Sequence, residues 1–227
     1  MKEIDAISLR GLSIFRNISE EHLSMVIENS LQHWVPADTL IMEEGTICDY
    51  LFVIIHGMVD LFTRQGERET TLTVLRPFRA FVLASAVGRL PCVQSARTLE
   101  PTYVLQVPAE VLKKLLNQDF EFTKAVAREL SVSYGCVSIE LKNQKLRTGV
   151  ERLANWIVRT HSFAGDENRL VLPFDKRTLA SRIGMTPENL SRSLSQLNKH
   201  GVSISGRELK ITDYGALVKL ARVGVSC

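Results

Sequence analysis

The segment from Asp175 to Asp213 constrains the fold more than any other part of the chain, because it predicts two short helices joined by a tight turn. The first spans residues 176–182, and Gly184 ends it, since glycine readily takes the left-handed conformation that follows many helices. Thr186 and Pro187 suit the N-cap and first position of the second helix. Apolar residues recur at helical spacing at Leu179 and Ile183, then at Leu190, Leu194 and Leu197.

The second predicted helix has a polar face that suits the major groove of DNA. Arg192 can donate two hydrogen bonds to guanine, Glu188 can accept from cytosine, and Ser191 can bond a base or a phosphate. The alternative is an ordinary surface helix in which Glu188 and Arg192 form an i, i+4 ion pair. We expect Glu188, Ser191 and Arg192 to read bases.

A short hairpin follows this helix and predicts a winged helix-turn-helix. Residues 202–204 and 209–211 are strand-like and flank a Ser205-Gly206-Arg207 turn. From Lys145 onward there are 14 Lys and Arg against 7 Asp and Glu, whereas residues 1–144 carry a net charge of −4. A basic domain beside an acidic one is expected where only the basic one meets phosphates. The predicted DNA-backbone contacts are Lys176, Arg177, Thr178, Thr186, Asn189, Lys199 and Arg207.

The chain has 227 residues and is 45% hydrophobic, which predicts a sizeable core divided between two domains. Neither a leader-like start nor an apolar run long enough to span a membrane is present, so we expect a cytoplasmic protein without a membrane partner. The cysteines are Cys48, Cys92, Cys136 and Cys227. Their wide spacing argues against structural disulfides, a zinc site and an iron-sulfur cluster, and favours buried or inert thiols.

The N-terminal part predicts helices at residues 5–10 and 19–30, with Ser19 as the cap of the second, followed by many short strands. Such strands, separated by glycine and proline turns, favour a β-barrel or jelly roll. Gly57 is expected to supply one hairpin turn. The predicted strands are residues 39–42, 50–55, 58–63, 70–75, 81–87 and 103–107.

A long helix is predicted over residues 120–143. Its apolar positions recur every three to four residues for more than three heptads, which favours a coiled-coil homodimer over packing on its own barrel. A dimer also suits a palindromic DNA site, because it places two reading helices about one helical turn apart. The predicted seam is Phe122, Val126, Leu130, Ser133 or Tyr134, Val137 and Leu141.

The order of barrel, long helix and winged helix-turn-helix resembles the CRP/FNR superfamily of bacterial transcription regulators. Glu44-Gly45, residues 49–54 and residues 57–59 match the E-G, D-x-L-x-x-I and G-x-V patterns of its barrel, and residues 188–192 match the E-x-x-S-R of the FNR branch. The resemblance implies an α+β chain with a cyclic-nucleotide-binding-type β-roll (1–118), a dimerisation helix (119–144) and a winged helix-turn-helix (145–227). It also implies double-stranded DNA with palindromic TTGAT-type half-sites, and RNA polymerase, as partners. The catabolite-regulator branch has Arg where this chain has Pro187, which argues against its TGTGA-type half-site.

Residues 95–100, 144–155 and 176–181 are similar, more narrowly, to the proteobacterial regulators called FtrB. The regulated genes, and the choice between activation and repression, stay open.

The sensing input departs from the nucleotide-binding relatives. The phosphate-binding segment of those relatives carries F-G-E followed by R-S or R-T. In this chain residues 78–88 contain no Glu, and Cys92-Val93 stands where Arg-Ser or Arg-Thr is expected. Because a buried cyclic phosphate needs a cation or converging N–H donors, cAMP is not expected to bind by this route. Arg97 is interpreted as a structural residue near the next strand. The N-terminal Cys group of FNR-type iron-sulfur sensors is absent as well.

An apolar effector pocket is predicted instead, with the lining Phe81, Val82, Leu83, Val87, Cys92 and Val93. Haem is one candidate ligand, with His33, His56 or Cys92 as its axial ligand, which would make the chain a haem-based gas or redox sensor. An unknown small molecule, a thiol switch at Cys92 or Cys136, and no ligand at all are the others.

Two further classes of function differ from DNA recognition. An enzyme would need a phosphate loop, a zinc-protease motif or a nucleophile elbow, and the sequence contains none of these patterns. A protein-interaction module that does not bind DNA stays an alternative for the winged helix, and substitution of Glu188 or Arg192 would distinguish the two.

Overall fold

The computed structural model describes residues 9–161, 169–172 and 174–222. The chain divides into an N-terminal unit, Met1–Ser133, and a C-terminal unit, Tyr134–Cys227. The predicted helix at residues 5–10 falls mostly outside the described residues, and Cys227 lies outside them. Within the described ranges, no helix is both long enough and apolar enough to cross a membrane.

The N-terminal unit is built mainly of short strands, as predicted, with a few helices between and after them. Its helices are α1 (Glu20–Asn29), α2 (Leu83–Gly88) and α3 (Ala109–Gln118). Its strands are β1 (Leu31–Val35), β2 (Leu40–Met42), β3 (Tyr50–His56), β4 (Val59–Gln65), β5 (Arg68–Leu75), β6 (Arg79–Phe81), β7 (Ser95–Thr98) and β8 (Thr102–Pro108).

These strands form two antiparallel four-stranded sheets, in the orders β1-β8-β3-β6 and β2-β7-β4-β5. One core lies between them, because Leu51 and Val53 of β3 and Leu61 of β4 belong to a single buried cluster. Burying the inner faces of two sheets is the arrangement that stabilises a sandwich or jelly roll. The predicted fold class is confirmed.

The hairpin turn between β3 and β4 requires a glycine at position 57. Gly57 has φ +88°, and a Cβ placed there would lie 2.5 Å from Thr102 Oγ1 and 2.8 Å from the Pro101 carbonyl oxygen. Glycine is therefore required at position 57 for two reasons. It adopts the left-handed backbone conformation, and it leaves room for Pro101 and Thr102 at the start of β8.

One strand prediction is wrong. Residues 81–87 do not form a strand: β6 ends at Phe81, Val82 has φ +59°, and α2 follows at Leu83–Gly88. The run Leu-Ala-Ser-Ala contains good helix formers, and a short apolar segment has no period long enough to separate a strand from a helix. β1 and β7 were not predicted, because their mixed sequences give no clear alternation.

A carboxylate clamp joins the starts of two helices in this unit. Ser19 caps α1 as predicted, and Asp119 precedes the long helix α4 (Phe120–Leu146). Asp119 accepts hydrogen bonds from the Phe122 N–H at 2.9 Å, from His22 Nδ1 at 2.7 Å and from the Ser19 N–H at 3.3 Å. Although burial raises its pKa, these hydrogen bonds outweigh it and hold the pKa of Asp119 below its ordinary value.

The C-terminal unit contains the end of α4 followed by helices and a small antiparallel sheet. Its remaining helices are α5 (Gly149–His161), α6 (Lys176–Arg182), α7 (Pro187–Leu197) and α8 (Tyr214–Ala221). Its strands β9 (Arg169–Val171), β10 (Val202–Ser205) and β11 (Glu208–Ile211) pair in the order β10-β11-β9. The predicted helix-turn-helix and hairpin are confirmed, and β9 adds a third strand.

Candidate DNA-binding site

The two helices of the predicted module, α6 and α7, are each capped by a side chain at the N-terminus. Asp175 accepts from the Thr178 N–H at 2.7 Å, and Thr186 accepts from the Asn189 N–H at 3.3 Å, with Pro187 at the first helical position. Between the helices Gly184 has φ +67°, and the Met185 N–H donates to the Ala180 carbonyl at 2.9 Å. Local capping and one left-handed glycine therefore build the turn.

Helix α7 separates apolar from polar residues along its length. Leu190, Leu194 and Leu197 are buried with Ser193, which fixes one face of the helix against the unit's core. The opposite face is exposed and carries all three predicted base-reading residues: Glu188, Ser191 and Arg192. The structure thus brings this trio together on one accessible helical surface.

Local hydrogen bonds and charge set the donor and acceptor character of these three side chains. The Thr186 hydroxyl, the backbone N–H of Glu188 itself and the charge of Arg192 lower the pKa of Glu188, which keeps it an ionised acceptor. Ser191 Oγ donates to the Pro187 carbonyl at 3.0 Å. In this conformation the hydroxyl can therefore act only as an acceptor toward a further partner. Arg192 supplies the donors. One surface therefore presents an acceptor and a guanidinium at a spacing of one helical turn.

The predicted backbone contacts surround this surface in different ways. Lys176, Arg177, Asn189 and Lys199 are exposed, Thr178 is half-buried, and the Thr186 hydroxyl caps α7. Arg207 is tied to the wing, since its Nε and Nη2 donate to the Leu172 carbonyl at 3.1 and 2.8 Å. A depression of about 300 Å³ lies beside α7, and its polar lining is Lys176, Ser191, Ser195, Asn198 and Ser203.

Arg152 on α5 was not predicted to have a role, and it holds the turn between the two helices. Its Nε donates to the Ile183 carbonyl at 2.8 Å, its Nη2 to the Gly184 carbonyl at 3.0 Å and its Nη1 to the Arg147 carbonyl at 2.9 Å. The guanidinium therefore satisfies carbonyl groups where α6 and α4 end. Local sequence gives no signal for it, because its partners at the turn lie 31 and 32 positions away.

The start of α5 carries a capping box that the sequence does reveal through its T-x-x-E pattern. The Thr148 N–H and hydroxyl donate to Glu151 Oε2 at 2.8 and 2.9 Å, and the Glu151 N–H donates back to Thr148 Oγ1 at 3.4 Å. Hydrogen bonds from Thr148 lower the pKa of Glu151. This box fixes the beginning of α5, the helix whose Arg152 contacts the turn between α6 and α7.

The predicted dimer seam is divided. Phe122 and Val126 are 0% and 3% exposed, and Phe122 stacks on Phe15 with ring centroids 5.9 Å apart. These two residues pack into the core of their own unit, so they are not available to a partner helix, and their assignment to the seam is corrected. Leu130 is half-buried. Further along α4, apolar side chains are exposed at Tyr134, Val137 and Leu141.

The predicted effector pocket is also dispersed. Phe81 and Leu83 are buried in the core, Val82 is half-buried and Val93 is 75% exposed. Phe81 stacks on Phe52 with centroids 5.1 Å apart, which fills space that a ligand would need. Of the set, Cys92 lines a depression of about 390 Å³, which is otherwise formed by residues 40–52.

Comparisons with known proteins agree with this architecture. Residues 32–119 match the cyclic nucleotide-binding domain and residues 151–220 the Crp-like helix-turn-helix domain. The chain is 23% identical over 230 residues to the anaerobic regulatory protein of Pasteurella multocida, covering 94% of this chain and 81% of the relative. It is 23% identical to the transcriptional activator protein anr of Pseudomonas aeruginosa, with 80% and 76% covered.

The solved structure of FixK2 from Bradyrhizobium japonicum superposes with a TM-score of 0.76 at 19% identity, covering 86% of this chain and 99% of that one. This likeness confirms the fold. The match of the sandwich to the cyclic nucleotide-binding domain, followed by the match to the Crp-like helix-turn-helix domain, places the chain in the CRP/FNR family of DNA-binding transcription regulators.

Proposed function

We propose that this regulator binds a palindromic DNA site of the TTGAT type as a homodimer, with Glu188, Ser191 and Arg192 reading each half-site. The observation that carries the proposal is the exposed face of α7, where the three side chains lie together beside a buried apolar face. A carboxylate that accepts from cytosine and a guanidinium that donates to guanine suit a mixed-sequence half-site.

Charge supports DNA as the partner of the C-terminal part. Residues 145–227 carry a net charge of +7. The side chains of Lys176 and Arg177 are exposed at the start of α6, and that of Lys199 is exposed just after the end of α7. Such residues position a protein on phosphates, whereas base contacts specify the sequence. We assign residues 1–118 to the sensor, 119–144 to dimerisation and 145–227 to DNA binding.

Fluorescence anisotropy with a TTGAT-N4-ATCAA duplex and a scrambled duplex tests the reading of bases. Arg192→Ala should weaken binding to the palindrome by about 1–3 kcal/mol, roughly 5- to 150-fold, and reduce the preference over the scrambled duplex. Glu188→Ala should relax the preference similarly. Lys219→Ala removes the same charge as Arg192→Ala from an exposed position on α8 and should leave the preference intact. Equal binding of the two duplexes by the wild-type chain contradicts the proposal.

The second half of α4 supports the homodimer. Tyr134, Val137 and Leu141 are 78%, 68% and 56% exposed at spacings of three and four residues, which places them on one helical stripe. Burying such a stripe against its copy is the usual way to cover it. The double variant Val137→Glu/Leu141→Glu should be monomeric by light scattering, whereas Lys142→Glu, an exposed neighbour, should stay dimeric. A dimeric double variant contradicts this interface.

The sensor is proposed not to take a cyclic nucleotide by the usual phosphate contacts. The depression near Cys92 is lined by the acidic residues Glu43 and Asp49, and its described lining includes no Lys or Arg. Of the three candidate axial ligands for haem, Cys92 lines that depression, whereas His33 and His56 are exposed on β1 and β3 and do not. Haem is therefore less well supported than an organic effector. An absorption spectrum of the purified protein decides the haem question directly.

Three finer assignments accompany the proposal. The similarity at residues 95–100, 144–155 and 176–181 supports placement near the FtrB-like regulators. A transcription regulator of this family also implies action in the cytoplasm and contact with RNA polymerase. Co-purification of polymerase with the DNA-bound dimer, compared with the Arg192→Ala variant, tests that partner.

A further inference from the structure

Two cysteines meet in the N-terminal unit although they are distant in sequence. Cys48 lies two residues before the start of β3, and Cys92 lies between α2 and β7. Both are free thiols, and they are 3% and 2% exposed. Both side chains line one depression, and the Cys92 thiol is among the groups that raise the pKa of Cys48. The Cys48 thiol also approaches the Tyr50 carbonyl, with 3.1 Å between Sγ and O. The fold thus brings together two thiols that no C-x-x-C pattern in the sequence predicts.

The backbone around Cys92 is held on both sides. The Gly45 N–H donates to the Cys92 carbonyl at 2.8 Å, and the Cys92 N–H donates to the Thr46 carbonyl at 2.8 Å. Gly45 has φ +84° and, with Thr46, stands opposite the single residue Cys92, as in a β-bulge that begins with glycine. An adjacent bridge pairs Ile47 with Pro91. Main-chain contacts therefore hold the segment that precedes Cys48 against the segment that contains Cys92.

Both cysteines line the depression of about 390 Å³ described above. Its lining combines apolar side chains, including Leu40, Ile41 and Phe52, with the carboxylates of Glu43 and Asp49. Acidic groups disfavour an anionic ligand, while the volume and the apolar surface suit a neutral ligand with an organic substituent. The depression therefore selects for ligands unlike a cyclic phosphate.

The raised pKa of Cys48 disfavours reactions in which this group must attack as a thiolate. Burial, with the neighbouring Cys92 thiol, raises the pKa of Cys48 to about 12. Because the thiolate is the nucleophile in oxidation and alkylation, a buried protonated thiol reacts slowly by those routes. A trivalent centre that exchanges its hydroxyl groups for sulfur needs no oxidant.

We propose that Cys48 and Cys92 form a dithiol site for neutral, trivalent organoarsenic compounds and related thiophilic ligands. The ligand enters as R–As(OH)₂. Two As–S bonds form while two As–O and two S–H bonds break, and two waters leave with the thiol protons. The oxidation state of arsenic does not change, and the organic group R occupies the apolar part of the depression.

Phenylarsine oxide is a suitable probe with the full-length, reduced chain. After mixing and desalting in excess monothiol, intact mass should show one phenylarsenic group per wild-type chain. Cys48→Ser and Cys92→Ser each leave one thiol and should lower retention about 100-fold, because the second sulfur adds a high effective concentration. Cys136→Ser, which alters the half-buried thiol on α4, should retain the group like the wild type. Equal retention by either site variant overturns the proposal.

A second measurement uses only the wild-type chain, so it does not depend on the folding of variants. The complex is denatured in an alkylating reagent, and the modified peptides are mapped. Cys48 and Cys92 should be protected together while Cys136 is alkylated, and a small dithiol added beforehand should release the protection. Protection of any pair that includes Cys136 or Cys227, or of none, refutes the assignment.

Discussion

Arg152→Ala should destabilise the turn between α6 and α7. It should thereby weaken DNA binding without altering Glu188, Ser191 or Arg192. The substitution removes three hydrogen bonds from the guanidinium, at 2.8, 2.9 and 3.0 Å, to the carbonyls of Ile183, Arg147 and Gly184. Hydrogen bonds to charged groups contribute about 1.5–3 kcal/mol each when buried. Arg152 is half-buried and water can replace part of the loss, so we expect about 1 kcal/mol per bond and about 3 kcal/mol in total.

Urea unfolding followed by Trp156 fluorescence measures this loss in the C-terminal unit. Trp156 lies on α5 and contacts Phe174, with ring centroids 6.0 Å apart, and the other tryptophan is Trp34 in the N-terminal unit. A Trp34→Phe background therefore isolates the signal. The control is Arg169→Ala, which removes an arginine whose ion pair with Glu208 is 3.4 Å long and exposed, and which should cost less than about 1 kcal/mol. If Arg152→Ala costs no more than the control, the hydrogen bonds from Arg152 do not stabilise the turn and the end of α4.

Two further predictions concern the N-terminal unit. Gly57→Ala should destabilise it by about 2–5 kcal/mol, from left-handed strain and from the overlap with Thr102, whereas Gly66→Ala, at φ +60° with open space around its Cβ, should cost only about 1–2 kcal/mol; equal losses in urea melts would contradict the role of the close contact. Because the folded-state pKa of Asp119 is below its ordinary value, its stabilisation is complete above that value, near pH 4, and disappears as pH falls through the lowered pKa. Asp119→Asn should therefore flatten the loss of stability as the pH falls below about 4, and an unchanged acid melt would count against the clamp.

The helix-turn-helix could be predicted from sequence because its signals are local. Thr186 and Pro187 act within one turn of the helix they begin, and Gly184 marks the turn by its own conformational freedom. The trio at Glu188, Ser191 and Arg192 follows from helical spacing once the leucines define the buried face. Every step there depends on residues fewer than ten positions apart.

Predictions that depended on what a surface packs against were less successful. A helical repeat shows that one face of α4 is apolar, but it cannot show that Phe122 and Val126 are buried in their own unit while Val137 and Leu141 are exposed. The run at residues 81–87 was similarly ambiguous, because its apolar residues fit a buried strand and a short helix equally well. Long-range contacts such as those of Arg152 have no local signal at all.

Arg97 on β7 is paired with carboxylates of the N-terminal sandwich. Its Nη2 lies 2.8 Å from Asp60 Oδ2 and 2.7 Å from Glu69 Oε1, and its guanidinium stacks 4.3 Å above the Phe62 ring. Asp60 is 1% exposed, so moving Arg97 to a ligand would leave a buried carboxylate without its counter-charge, which is strongly destabilising. The cation is therefore committed to structure. A ligand phosphate that recruited Arg97 would have to compensate for this loss, which supports our proposal of a neutral ligand in the depression lined by Cys48 and Cys92.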